Sequence, residues 1–115
     1  MLLGKESIAQ IQICDWLKQK TDLPFYHFPL EGKRSLANAS VLKRMGMKAG
    51  PSDLYFPRSH GQYKGLWLEI KVGKNKPTPM QTAFLDLMTK EGYMAACVWG
   101  SEAAIEFIKT FYEID

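Results

Sequence analysis

The octapeptide Gly65-Leu66-Trp67-Leu68-Glu69-Ile70-Lys71-Val72 decides how this chain is read. Along an extended backbone, alternation sends Leu66, Leu68, Ile70 and Val72 to one face and Trp67, Glu69 and Lys71 to the other. One face is a core face. The other sets a carboxylate and an ammonium side by side, about 6–7 Å apart along the strand. Upstream, Gly50-Pro51-Ser52 is a turn, and Asp53 opens a second strand that runs to Phe56. Arg58 to Tyr63, with Gly61, joins that strand to the central one, Lys64 to Val72.

Downstream, Thr78-Pro79-Met80-Gln81 is a helix start, with Thr78 as N-cap, Pro79 in the first helical position and Gln81 three residues after the cap. The helix continues to about Glu91 with Phe84, Leu87 and Met88 on one side, and Gly92 closes it. Tyr93 to Trp99 suits a buried strand. Ser101 is placed to cap a last helix, whose apolar stripe is Ala104, Ile108, Phe111 and Tyr112. At the other end, Ile8, Ile11, Cys14 and Leu17 recur at three-residue steps in a helix from Lys5 to Lys20, which Asp22 and Pro24 terminate. Phe25 to Leu30 reads as an edge strand, and Ser35 to Met45 as a short basic helix stopped by Gly46. Helices and strands therefore mix along one α/β domain that spans residues 1–115, with no internal repeat.

Composition supports one core. The chain has 115 residues, 46% of them hydrophobic and 23% charged, which argues against disorder. Its apolar runs fall far short of the roughly 20 residues that span a bilayer. Lys5 and Glu6 interrupt the N-terminus too early for a signal-peptide core. Cys14 and Cys97 lie in apolar stretches and read as buried thiols of a cytoplasmic protein, with a disulfide as the lesser option.

The formal net charge of +3 conceals a strong asymmetry. Between Gly32 and Lys76 stand ten basic residues and only two acids, Asp53 and Glu69; the rest of the chain has five basic residues and ten acids. A basic window of this kind suits a polyanion such as DNA, whose condensed counterions are released on binding, although an ordinary solvated face has the same composition. The two acids inside the window are the distinguishing feature. Asp53, held at the turn, and Glu69, on the strand paired with it, would converge beside Lys71 as a hard oxygen site for Mg²⁺ or Mn²⁺. Such a cation polarises a phosphodiester. Lys71 would orient water or stabilise developing charge. The plainer alternative makes Glu69 and Lys71 the solvent face of a half-exposed strand.

This pattern resembles the PD-(D/E)XK nuclease superfamily and, within it, the VRR-NUC family in its small stand-alone form, found in phages and prophages. The resemblance rests on Glu6-Ser7-Ile8-Ala9-Gln10, Glu31-Gly32-Lys33-Arg34-Ser35, the segment from Leu42 to Leu54, Leu68-Glu69-Ile70-Lys71-Val72 and Thr78-Pro79-Met80-Gln81. It implies a restriction-endonuclease-like fold, a central mixed sheet flanked by helices. It also implies metal ligation by Asp53, Glu69 and the Ile70 backbone carbonyl, with Lys71 as the catalytic lysine. Glu6 would reach the metal through water, and Gln81 would order water or phosphate. The pattern departs from the family in one place: Ser52 precedes the aspartate where proline is usual, and Pro51 stands one residue earlier.

Other residues have simpler explanations beside the functional ones. A capping box accounts for Gln81, and the helix dipole for Glu6. Gln10, one turn after Glu6, could join its site or be plain surface. His27 and His60 lack zinc-ligand spacing. Trp67 could stack on a base or pack inside the fold. Lys33, Arg34, Lys43, Arg44, Lys48, Lys74 and Lys76 are the expected phosphate contacts, which position DNA without reading its sequence. One site cuts one strand, so the expected form is a homodimer acting on junction DNA, in a bacterial or phage-infected cytoplasm and with no membrane partner. A flap-type or non-specific nuclease and a silent DNA-binding module are the competing readings.

Overall fold

A computed structural model of the protein describes residues 3–28, 36–46 and 52–115. The elements are α1 (Lys5–Lys20), β1 (Tyr26–His27), α2 (Leu36–Arg44), β2 (Leu54–Phe56), β3 (Leu66–Lys71), α3 (Pro79–Lys90), β4 (Met94–Trp99) and α4 (Gly100–Tyr112). They follow the order read from the sequence. The four strands form one mixed sheet in the order β1-β2-β3-β4. β1 and β2, and β2 and β3, run antiparallel, whereas β3 and β4 are parallel and joined through α3. A parallel neighbour requires a crossover element, and α3 supplies it.

Register divides the sheet into two chemically distinct faces. Leu54 pairs with Leu68 and Phe56 with Leu66, so these side chains share a face with Ile70. That face meets α1 and α4. Leu54, Phe56, Leu66 and Leu68 are wholly buried there with Ile13, Leu17, Ala104 and Ile108. Burial of side chains this size contributes about 1.5–3 kcal/mol each. The other face carries Tyr55 and Trp67, opposite each other across β2 and β3. Their rings stack at 4.3 Å, and Trp67 also meets Phe84 of α3 edge-on at 4.9 Å and Phe28 at 5.8 Å. Trp67 is thus the hub of an aromatic cluster under α3 and not a platform for a base.

Helix capping and contacts at the end of the chain hold the frame. The capping box at α3 is complete: the Gln81 N–H donates to Thr78 Oγ1 at 3.1 Å, and the Thr78 N–H donates to Gln81 Oε1 at 2.9 Å. The same helix closes at Gly92, whose φ of 100° lies in the left-handed region open to glycine. At the end of the chain, Tyr112 donates its hydroxyl to the Arg58 carbonyl at 2.8 Å. His60 pairs with Glu113 at 2.7 Å, which ties the β2–β3 loop to the end of α4.

Several expectations are corrected. The buried face of α1 is Ala9, Ile13 and Leu17, while Ile8 and Ile11 stand exposed and Cys14 is half-buried. Three-residue steps lag about 60° each behind the helix, so Ile8 and Leu17 end on opposite sides. Four-residue steps keep to one face. Ser101 is not the cap of α4: Trp99 occupies that position, and the Ser101 hydroxyl donates to Gln12 Oε1 at 2.7 Å, joining α4 to α1. The edge strand shrinks to Tyr26–His27, with residues 29 and 30 outside the described residues. Cys14 and Cys97 are free thiols, half-buried and not fully enclosed.

Candidate active site

Asp53, Glu69 and Lys71 come together at the C-terminal end of β3. Asp53 stands just before β2, and its Oδ2 accepts the Ile70 backbone N–H at 2.8 Å, which ties the aspartate to the central strand. Its own carbonyl is held twice, from the Phe28 N–H just after β1 at 3.1 Å and from the imidazole of His27 in β1 at 3.0 Å. A carbonyl only accepts, so His27 Nδ1 carries the proton in that contact. This makes His27 a positioning residue. A lone histidine in a short edge strand gave no hint of the role, because the contact exists only once β1 pairs with β2.

Glu69 and Lys71 do not form a solvent face. Glu69 is 1% exposed and Lys71 7%. Lys71 Nζ lies 3.3 Å from Glu69 Oε2. The other oxygen, Glu69 Oε1, is buried with no hydrogen-bond partner among the described residues, as is the hydroxyl of Ser52 next to Asp53. An unpaired carboxylate oxygen away from water is costly, and buried polar groups in folded proteins are as a rule satisfied. Burial, reinforced by the neighbouring Asp53 charge, pushes the Glu69 carboxyl from 4.5 up to about 8. Burial works to lower Lys71 too, but the negative charges of Glu69, Glu6 and Asp53 outweigh it and the ammonium is held above its usual range. These two shifts pull in opposite senses on the Glu69–Lys71 contact. With its carboxyl pushed up to about 8, Glu69 keeps its proton near neutral pH in the cation-free protein.

A divalent cation fits this donor set. Carboxylate oxygens are the hard ligands that Mg²⁺ and Mn²⁺ take, and Glu69 Oε1 meets no donor among the described residues. Among the described residues, no three His, Cys, Asp or Glu side chains converge closely enough to hold a metal. Glu6 therefore does not complete a three-acid set. Its exposed carboxylate near the start of α1 acts on Lys71 through its field. The Ile70 side chain belongs to the core, and its N–H is given to Asp53. Gln81 has its carbonyl engaged in the capping box, and its amide NH₂ takes no part in that box.

The basic residues divide. Lys43 and Arg44 are exposed on the last turn of α2, and Lys74 and Lys76 are exposed on the loop after β3. Lys33, Arg34 and Lys48 lie outside the described residues. Gln10 donates to Cys14 Sγ at 3.4 Å within α1. His60 belongs to the contact with Glu113 and Phe111.

No protein-family model and no curated protein matches this sequence. A solved structure described as a VRR_NUC domain protein does, with a TM-score of 0.83 and 29% identity over 99% of this chain and 93% of that chain. The chain is similar to a VRR-NUC domain over nearly its whole length. Sheet, flanking helices and near-complete coverage of both chains agree with the fold expected from the Asp53, Glu69 and Lys71 pattern. Among the described residues no helix is long and apolar enough to cross a membrane.

Proposed function

We propose that this VRR-NUC-like domain is a Mg²⁺- or Mn²⁺-dependent endodeoxyribonuclease that hydrolyses DNA phosphodiesters at Asp53, Glu69 and Lys71. The buried, unpartnered oxygen of Glu69 beside Asp53 carries the reading. Left alone it is destabilising, and a cation is the partner its chemistry lacks. Asp53, Glu69 and the Ile70 carbonyl would hold the ion, which when bound supplies Lewis-acid polarisation of the scissile phosphate. Lys71, fixed by Glu69, is placed to donate to a phosphoryl oxygen or to orient the attacking water. Glu6 supports the charge of Lys71 and, through water, the site. Gln81 offers its amide NH₂ to the phosphate. Lys33, Arg34, Lys43, Arg44, Lys48, Lys74 and Lys76 bind the DNA backbone and are expected to give strongly salt-dependent affinity.

The substrate in this reading is a four-way junction cut by a homodimer, since one site per chain cuts one strand and a two-fold dimer presents two. A cytoplasm of bacterial or phage-infected cells is the corresponding location. The test uses labelled junction, flap and duplex DNA with Mg²⁺ or Mn²⁺. The wild type cuts, whereas Glu69→Ala and Lys71→Ala bind without cutting. Binding with no cutting by the wild type in either metal would overturn the nuclease reading and leave a DNA-binding module. Equal cutting of duplex and junction, or a monomer by light scattering that still makes paired cuts, would overturn the junction and dimer parts.

A further inference from the structure

Trp99 closes β4 in register with Lys71 of β3. Residues in register across a parallel pair share a face, so the indole rises from the side of the sheet that bears Glu69 and Lys71, one strand spacing of about 4.8 Å away. The other aromatic side chains of that face pack on one another: Tyr55 on Trp67, and Trp67 against Phe84 and Tyr93. Trp99 is 43% exposed. Among the described residues no aromatic ring pairs with it. It is nonetheless fixed, because its indole N–H donates to the Asn75 carbonyl at 2.7 Å. Asn75 sits in the turn that follows the central strand, its own N–H donating to the Val72 carbonyl at 3.2 Å. That turn also bears the exposed Lys74 and Lys76.

A large, flat, apolar ring held still at the edge of a carboxylate–lysine site, and tied to a turn that bears two exposed lysines, matches one ligand chemistry well. A nucleotide presents an apolar base face next to phosphates. We propose that Trp99 stacks on the base of a nucleotide flanking the scissile phosphate, while Lys74 and Lys76 hold the adjoining phosphates. A base inside a continuous duplex has both faces covered by its neighbours. Stacking on Trp99 therefore selects DNA with an unstacked nucleotide at the cleavage point, as at a flap or branch. This inference rests on the reading of Asp53, Glu69 and Lys71 as the cleavage site.

The test is equilibrium binding by fluorescence anisotropy, without divalent metal, of a labelled flap whose nucleotides at the branch are either intact or abasic. Stacking on an aromatic side chain has an effect of about 5- to 150-fold per base. Trp99→Ala should weaken binding of the intact flap at least about tenfold within that range, and Trp99→Phe, which keeps a ring, much less. The abasic flap should weaken wild-type binding by a similar factor and leave Trp99→Ala unaffected. If Trp99 only anchors the Asn75 turn, Phe fails as badly as Ala and the abasic change adds to both, which overturns the proposal. Should Trp99→Ala not fold, the wild type on intact and abasic flaps decides alone, and equal affinity refutes stacking. Wild-type cutting in Mn²⁺ is read in parallel. An abasic effect on binding with no cutting overturns the nuclease reading only, cutting with no abasic effect overturns stacking only, and no DNA binding at all overturns both.

Discussion

Replacing Glu69 by Gln should make the cation-free protein more stable, by an amount that grows with pH. The carboxyl is 1% exposed and titrates at about 8 instead of 4.5. A group whose folded pKa lies above its unfolded one contributes its stability fully below the unfolded value. That contribution is lost as pH rises through the folded value. Relative to pH 4.5, Glu69 therefore costs about 3 kcal/mol at pH 7 and about 4 kcal/mol above pH 8, at about 1.4 kcal/mol per pH decade. Glutamine is nearly isosteric and has no proton to lose. Its Oε1 can accept from Lys71, and its NH₂ can donate toward Asp53. For a domain of this size about 3 kcal/mol is about 10 °C in Tm. Asp22, lowered by its hydrogen bond from Arg58, loses its contribution only below about its ordinary 3.8. Lys71, raised above 10.5, loses its own only in strong alkali. Neither interferes between pH 5 and 8.5. The assay is calorimetric melting in EDTA at pH 5, 7 and 8.5. The wild-type Tm should fall across the series, and that of Glu69→Gln should stay nearly flat and exceed it at pH 8.5. A wild-type Tm that rises with pH, or a Gln variant that is less stable at pH 8.5, would refute the reasoning.

Adding Mn²⁺ should raise the wild-type Tm, with a larger increase at pH 8 than at pH 6 because Glu69 must release its proton to bind, and should leave Glu69→Gln nearly unmoved. Gly65→Ala should unfold the domain or cost several kcal/mol by denaturant melting, since a Cβ there would stand 2.5 Å from the Phe56 carbonyl oxygen, a backbone atom of the adjacent strand. Thr78→Ala should cost about 1 kcal/mol of stability, because it removes the side-chain half of a complete capping box.

Elements set by local chemistry could be read directly. The start of α3 depends on Thr78, Pro79 and Gln81, all within one turn, and the expected cap is the one observed. The split of β3 into two faces follows from period-two geometry and survives in the register with β2. Elements set by tertiary contact could not. The buried side of α1 is chosen by the position of α4, and spacing alone pointed to Ile8 and Ile11, which are exposed. Ser101 has the chemistry of a cap, yet its hydroxyl goes to Gln12 on a helix far away in the chain.

The candidate site shows the same boundary at the level of one carboxylate. Strand alternation places Glu69 and Lys71 together on the face opposite the core, and from residue types alone that face could as well be wet. Burial separates the two readings, and burial depends on the sheet order and the elements around the end of β3. Once buried, the site has two carboxyls and one ammonium. Lys71 offsets a single negative charge and reaches only Glu69 Oε2 within the ion-pair contact. The second charge is resolved in the free protein by retaining a proton, at a cost that increases with pH. A divalent cation resolves it otherwise, displacing the proton and meeting the oxygen that has no donor among the described residues. The stability the domain forgoes by burying Glu69 is thus the free energy that makes the site select a cation, and the pH dependence of folding and of metal binding should be two readings of one carboxyl.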